Sequence, residues 1–169
     1  MNIQVAIIMG SKSDWDVMSH AATMLSELDI QYEAKVISAH RTPDLLDEYC
    51  AKLLEKEIKV IIAGAGLAAA LPGVVAAKTI LPVIGVPLVA GSLDGLDALM
   101  SIVQMPPGIP VATVGLDGSL NAGILAAQIL ATDNNEIHEK VHSYKENLKQ
   151  KIVKANTDLA SHEYPFRIQ

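Results

Sequence analysis

Three short stretches carry residue types able to bind an anion and move a proton: "GSKSDW" over Gly10–Trp15, "SAHRTP" over Ser38–Pro43 and "GAGLAAALPG" over Gly64–Gly73. In the first, Ser11 and Ser13 offer hydroxyls beside the free backbone donors of a helix start, which together make a phosphate cradle. Gly10 permits a tight turn there. The Walker spacing G-x-x-x-x-G-K-[ST] is absent, and an equal alternative is that Ser13 or Asp14 merely caps the helix. In the second stretch, Arg41 presents a planar fork suited to phosphate, and His40 is of the type that changes charge near neutral pH. A neighbouring guanidinium and a helix amino terminus both favour the neutral imidazole and make its protonated form a strong donor, as general acid and base work requires. The plainer alternative is a surface His and Arg flanking a Thr42-Pro43 helix start. Three polar loops in one crevice tilt the balance toward a site.

"GAGLAA" matches the relaxed dinucleotide pattern G-x-G-x-x-A, but the match fails in context. That fingerprint belongs to the first strand–helix unit, whereas here it opens the third, and no acidic residue lies between Glu57 and Asp94 to hold a ribose. The glycines read instead as close-approach positions beside a ligand. His138-Glu139-Lys140-Val141-His142 matches the zinc-protease pattern H-E-x-x-H. Both histidines lie off the apolar stripe of their helix, among Lys140, Lys145 and Lys149, with no downstream G-x-x-H, so the pattern reads as a solvated helix face. Cys50 stands at helical spacing from Leu46, Leu53 and Leu54 and reads as a small core residue. Trp15 is expected to pack the first helix, His20 and His162 show no partner by spacing, and "LDG" at Leu116–Gly118 is a turn signal.

Loops of this kind need a scaffold, and its strands are visible as apolar runs at Ile3–Met9, Tyr32–Ile37, Val60–Ala63, Val83–Val86 and Val111–Val114, each followed by helical spacing. Fully apolar strands alternating with helices predict a parallel sheet covered on both faces, a three-layer α/β sandwich. Its crevice lies beyond the carboxyl ends of the strands, where the three stretches fall. Helices are expected from Ser13 or Asp14, from the Thr42-Pro43 start, over Ala68–Lys78 and over Asn121–Ala131. The last two are apolar almost all round and rich in Ala and Gly, which predicts close packing between subunits and an obligate oligomer. From Asn135 a stripe of Ile137, Val141, Tyr144, Leu148, Ile152, Ala155 and Leu159 predicts one long amphipathic helix that lies on its own domain or on a neighbour. Tyr164 and Phe166 in the tail would be odd on a free end. The expected organisation is one domain over 1–169, with a core over 1–132 and a helix and tail over 133–169.

Length and composition fit that picture. A chain of 169 residues suits one domain with a real core. It is 50% apolar with a mean hydropathy of +0.31, yet only 4% aromatic, so its apolar surface is built from aliphatic side chains and some of it is expected to meet another subunit. A net charge of -6 disfavours broad attraction to nucleic acid or anionic lipid. The single cysteine and an amino terminus lacking the basic-then-apolar pattern of a signal peptide predict a reducing cytoplasm. The longest uncharged run, Val60–Ala77, is broken by Gly64, Gly66, Pro72 and Gly73, which argues against a membrane span.

Taken together, "IMGSKSDW", "VISAHRTPD", "VIIAGAG", "LPVIGVP", "SIVQMPPGIPVAT" and "NAGILAAQIL" make the chain resemble the N5-carboxyaminoimidazole ribonucleotide mutase family of purine biosynthesis, from about Ile3 to Leu130. The resemblance implies a flavodoxin-like fold, an octamer with active sites at subunit contacts, and no metal or organic cofactor. It implies that the carboxylate of a carbamate on the substrate's exocyclic amine is released as carbon dioxide in a closed pocket and recaptured at C4 of the imidazole. His40 would relay the C4 proton, Ser11, Ser13, Ser38 and Arg41 would lie near the phosphate, Asp14 at the ribose, and Gly66 and Leu71 near the base and the carbon dioxide pocket. Two loops depart from the family. "GAGLAAALPG" has Leu67 and Ala70 where "GAGGAAHLPG" is common, so a second imidazole is absent, and "GLDGSLNAG" departs from "AIGKAGAxNA". Direct carboxylation of aminoimidazole ribonucleotide by carbon dioxide, and a phosphate-ligand-binding paralogue without turnover, are the alternatives.

Overall fold

The computed structural model describes residues 2–53 and 55–162. Five parallel strands, β1 (Val5–Met9), β2 (Tyr32–Val36), β3 (Val60–Gly66), β4 (Val83–Leu88) and β5 (Ala112–Thr113), form one sheet in the order β2-β1-β3-β4-β5. Between and after them run α1 (Trp15–Glu27), α2 (Pro43–Ala51), α3 (Leu71–Ala76), α4 (Leu96–Val103), α5 (Ser119–Leu130) and α6 (Asn135–Ala160). This is the three-layer sandwich that the alternation of strands and helices predicts, in the flavodoxin-like doubly wound order that the family resemblance implies.

The alternation of side chains along a strand sorts the core into two layers. Val5, Ile7 and Met9 face α1, α5 and the start of α6, whereas Ala6 and Ile8 face α2, α3 and α4. β1, β3 and β4 are almost wholly buried because helices cover both faces. β2 is the exception to the fully apolar pattern. It is an edge strand, its residues are half-buried or exposed, and Glu33 on it accepts from the Tyr49 hydroxyl at 2.9 Å and from Lys56 at 2.8 Å. β5 is shorter than the apolar run Val111–Val114 implies, because it pairs only at Ala112 and Thr113 on the opposite edge. α3 likewise occupies only the middle of Ala68–Lys78.

The small residues of α5 serve the chain itself. A Cβ at Gly123 would stand 3.0 Å from the Ala21 carbonyl, so α1 and α5 meet backbone to backbone within one subunit, and the buried Ser119 hydroxyl donates to the Val17 carbonyl across the same seam. Apart from Leu120 at the start of α5, the large apolar residues that remain exposed lie elsewhere, with Leu96, Met100 and Val103 forming a stripe along α4. The α6 stripe divides. Ile137 and Val141 are buried and Tyr144 packs against the core, but Ile152 and Leu159 are 65% and 57% exposed. Cys50 is buried, as its spacing predicts, and burial pushes its thiol up. Trp15 is less committed than expected, at 38% exposure on the first turn of α1. Tyr164 and Phe166 lie outside the described residues, as does Leu54. Among the described residues no helix is long and apolar enough to cross a membrane.

Gly85 measures how tightly the second layer is packed. A Cβ there would lie 2.4 Å from Ile102 Cγ2 and 2.8 Å from Val111 Cγ1, both on β-branched side chains with little freedom to move. Gly85→Ala is therefore expected to destabilise the fold by about 1–3 kcal/mol through overpacking. Urea unfolding should show this as a lower midpoint at unchanged slope.

Candidate active site

Parallel strands end at one edge, and the adjacency of β2, β1 and β3 brings the three loops that follow them side by side. They enclose a cleft of about 550 Å³, within the range of small-molecule sites. Ser11, Ser13, Asp14, Ser38, His40, Arg41, Gly66 and Leu71, all the residues singled out from the sequence, line it together. A second groove of about 620 Å³ runs between Glu27 and Lys140 on the α1–α6 side, but Lys140 there is already paired with Glu136 at 2.6 Å and Asp29 at 3.3 Å. That groove is lined by no guanidinium and no imidazole among the described residues.

The first loop is a helix start built in two steps. A short 3-10 turn, Lys12–Asp14, precedes α1, and its cap is Ser11 rather than Ser13 or Asp14. The Ser11 hydroxyl accepts from the Ser13 amide at 3.4 Å and the Ser13 hydroxyl at 2.9 Å, while the Asp14 carboxylate accepts from the Ser11 amide at 2.9 Å. This reciprocal capping box explains why the two residues stand three apart. Because the Ser11 oxygen accepts from both groups of Ser13, its own proton is left to point elsewhere. Burial, the largest influence on the Asp14 carboxyl, pushes it above the ordinary carboxylate value against the downward pull of the Ser11 and Gly10 amides, Ser13 and Arg41. The sign follows: Asp14 favours the fold most at low pH, and that contribution fades as the pH rises through its folded value.

The second loop is tied by Thr42. Thr42 occupies the cap position of α2, with Pro43 at the first helical position, but its hydroxyl does not cap the helix. It donates to the Ser38 carbonyl and accepts from the Ser38 amide, both at 3.0 Å, and so closes the loop on itself. Ser38 in turn accepts from the Arg41 amide at 3.2 Å and from Arg41 Nε at 3.4 Å. An Arg41 terminal nitrogen donates to the Gly10 carbonyl at 3.0 Å, joining the second loop to the first. Two edges of the guanidinium are thereby fixed, and its remaining N–H groups and the Ser11 and Ser38 hydroxyls are available to an anion. His40 is exposed, and its imidazole has no hydrogen-bond partner among the described residues. Both ring nitrogens are thus free to serve a ligand.

The glycines act differently from the expectation. Gly10 has ordinary room, since a Cβ would meet only Asp14 Oδ2 at 3.9 Å. Gly64 makes way for Met18, whose Sδ would stand 2.4 Å from a Cβ, and Gly66 for Ala90 on the loop after β4, at 3.0 Å. Their close approach is to the protein's own chain. Ala90, which completes the cleft wall, is a contributor that sequence reasoning missed, since a lone alanine carries no chemical signal. Another is Asp117, within the turn read from "LDG": its carboxylate accepts from the Val89 amide at 2.9 Å and holds that loop in place. His138, Glu139 and His142 lie on exposed or grooved parts of α6, and no group of three metal-ligating side chains occurs among the described residues.

A family model described as AIR carboxylase matches residues 4–151, which includes every loop of the cleft. The chain belongs to the AIR carboxylase family. A Bacillus subtilis N5-carboxyaminoimidazole ribonucleotide mutase is 55% identical to it over 157 residues, spanning 92% of this chain and 97% of that protein. A Pyrococcus abyssi protein of the same name is 58% identical over 147 residues, covering 87% and 84% of the two chains. A Treponema denticola PurE crystal structure superposes with a TM-score of 0.86 at 32% identity, over 92% of this chain and 98% of that one. In this member of the family, Arg41 joins the two polar loops of the cleft. Arg41→Ala is expected to weaken binding of a ribose 5-phosphate probe about 10- to 100-fold, the worth of charge-assisted hydrogen bonds, with little change in melting temperature. Calorimetric titration and thermal unfolding together check this; equal losses in both would make Arg41 structural.

Proposed function

We propose that the chain is an N5-carboxyaminoimidazole ribonucleotide mutase, moving a carboxyl group from the exocyclic amine of the substrate to C4 of its imidazole ring. The observation that carries the reading is the meeting of an uncommitted imidazole, His40, with an anion cradle of Arg41, Ser11 and Ser38 in one cleft. Relatives bearing the mutase name at 55% and 58% identity support it. Ser11, Ser13, Ser38 and Arg41 take the substrate phosphate, Asp14 the ribose, and Gly66 and Leu71 the base.

The reaction balances without any added reagent. The bond from N5 to the carboxyl carbon breaks with its electron pair on nitrogen, C4 supplies the pair for the new carbon–carbon bond, and C4 gives up its proton. His40 takes that proton and N5 is reprotonated, so product and substrate are isomers. Anchoring the phosphate converts the proton transfer into an intramolecular event with the imidazole already in place. Ala70 supplies only a methyl group, so among the described residues His40 is the one imidazole on the cleft wall. We assign the enzyme to the reducing cytoplasm that its lone buried cysteine suits.

The test follows formation of the C4-carboxylated product from the carbamate substrate, or from the amine with bicarbonate, in wild type and His40→Asn. Carbamate-dependent turnover that falls by at least about 100-fold in the variant is the expected outcome. Turnover from bicarbonate alone would make the chain a direct carboxylase, and phosphate-ligand binding without turnover a non-catalytic paralogue.

The same reading includes a homo-oligomer, an octamer by family resemblance. The exposed stripe Leu96, Met100 and Val103 on α4 supports association, because aliphatic surface of this kind is costly to leave in water. Light scattering is expected to give a multiple of the subunit mass, and a monomeric mass would end that part of the proposal.

A further inference from the structure

The cleft is divided by chemistry. Ser11, Ser13, Asp14, Ser38, His40 and Arg41 supply every polar side chain on its wall, and all come from the loops after β1 and β2. The facing side, from the loops after β3 and β4, is hydrocarbon: chiefly Leu67, Ala70, Leu71 and Ala90. Leu67 is the anomaly on that side. Among the described residues, five non-glycine residues have positive φ, and the other four are Asp29, Glu57, Asp94 and Asp117. The three aspartates tolerate the left-handed region through local hydrogen bonding and Glu57 lies in an exposed turn away from the cleft, whereas leucine gains nothing from this conformation and meets a steric penalty. Leu67 sits there at φ 56 and is 54% exposed, so ordinary burial does not compensate the strain. Its Cδ2 lies 2.6 Å from where a Cβ on Gly91 would stand, and Gly91 itself has φ +69. The side chain is therefore seated against bare backbone across the cleft rim, in a place only glycine leaves open.

Strain kept in an exposed residue of a ligand cleft points to a role in the ligand's chemistry rather than in folding. We propose that Leu67 is a positioning residue that closes the β3–β4 side of the cleft with a water-excluding wall and so keeps the migrating carboxyl carbon on the enzyme. This rests on the carboxyl-transfer reading above. While the bond to N5 is breaking and the bond to C4 is forming, the one-carbon fragment loses its charge, and neither Arg41 nor His40 can hold it by attraction. Shape must hold it. Water admitted at that moment lets it escape as carbon dioxide and leaves the amine protonated, with no carbon–carbon bond formed. A hydrocarbon wall excludes that water, and seating against Gly91 keeps the wall from moving aside.

The test compares the fate of the carbamate substrate on wild type, Leu67→Gly and Leu67→Met, reading C4-carboxylated product against free amine by NMR after subtraction of an enzyme-free blank. Wild type is expected to give almost only carboxylated product. Leu67→Gly should release a several-fold larger share of free amine, with kcat lowered about tenfold and KM changed little, since the ground-state contacts to phosphate and ribose are untouched. Its melting temperature should hold or rise, because glycine relieves the left-handed strain. Leu67→Met should restore the wild-type partition. An unchanged partition in Leu67→Gly, a melting temperature that falls in step with activity, or no restoration by Leu67→Met would overturn this role for Leu67 while leaving the mutase assignment standing. A wild type that makes no carboxylated product overturns both together.

Discussion

A parallel sheet obliges every strand to end at the same edge, and in this chain everything depends on which strands stand together at that edge. β1 stands between β2 and β3 with helices on both faces, and the chain winds from it first outward to β2 and then back across it to β3. The loops after these strands therefore open around a single crevice, with helices rising on either face of it. Residues separated by tens of positions in the chain become neighbours without any loop having to be long. Short loops are also stiff loops, so side chains on them can be aimed.

The aim is refined by hydrogen bonds that serve structure and binding at once. Ser11 caps the turn leading to α1 through its oxygen, and Ser38 accepts from Arg41 through its own. A hydroxyl that accepts from the protein is pre-oriented to donate outward, so capping prepares the group for an anion. The contact from Arg41 to the Gly10 carbonyl works likewise: it locks the two polar loops at a fixed spacing before any ligand arrives. Such preorganisation limits the conformational freedom lost on binding. His40 stands apart from this network, and an imidazole not bound to the protein retains both nitrogens for a ligand.

Much of this was legible because strands and helix starts have local signatures. The apolar runs locate all five strands, and Pro43 marks the start of α2. What the runs do not encode is position in the sheet, so β2 with its Glu33 and Lys35 resembles a buried strand in outline yet lies on an edge. The polar site residues were legible by type, since serine, histidine and arginine announce their chemistry. Their partners were not: Thr42 looks like a helix cap and instead ties to Ser38, and nothing local connects Asp117 with the amide of Val89. The apolar half of the cleft was the least legible of all. Ala90 and the backbone of Leu67 contribute through placement and φ, and neither is written in a residue's name.

The long helix shows the same limit at larger scale. At about 1.5 Å per residue, the 26 residues of α6 span roughly 39 Å, and only its first turns pack on the core. Its apolar stripe is continuous in the sequence, but coverage ends near Tyr144, and Leu148, Ile152 and Leu159 continue past the last part of the core able to meet them. Periodicity reports that a face needs burial; it carries no information on how far the burying surface extends. The same reasoning separates α5 from α4. Small residues on α5 are consumed by close approach to α1, while larger ones at Leu96, Met100 and Val103 on α4 face outward. Apolar surface left over after internal packing, rather than small-residue content, is therefore the physical feature that sets α4 apart from α5.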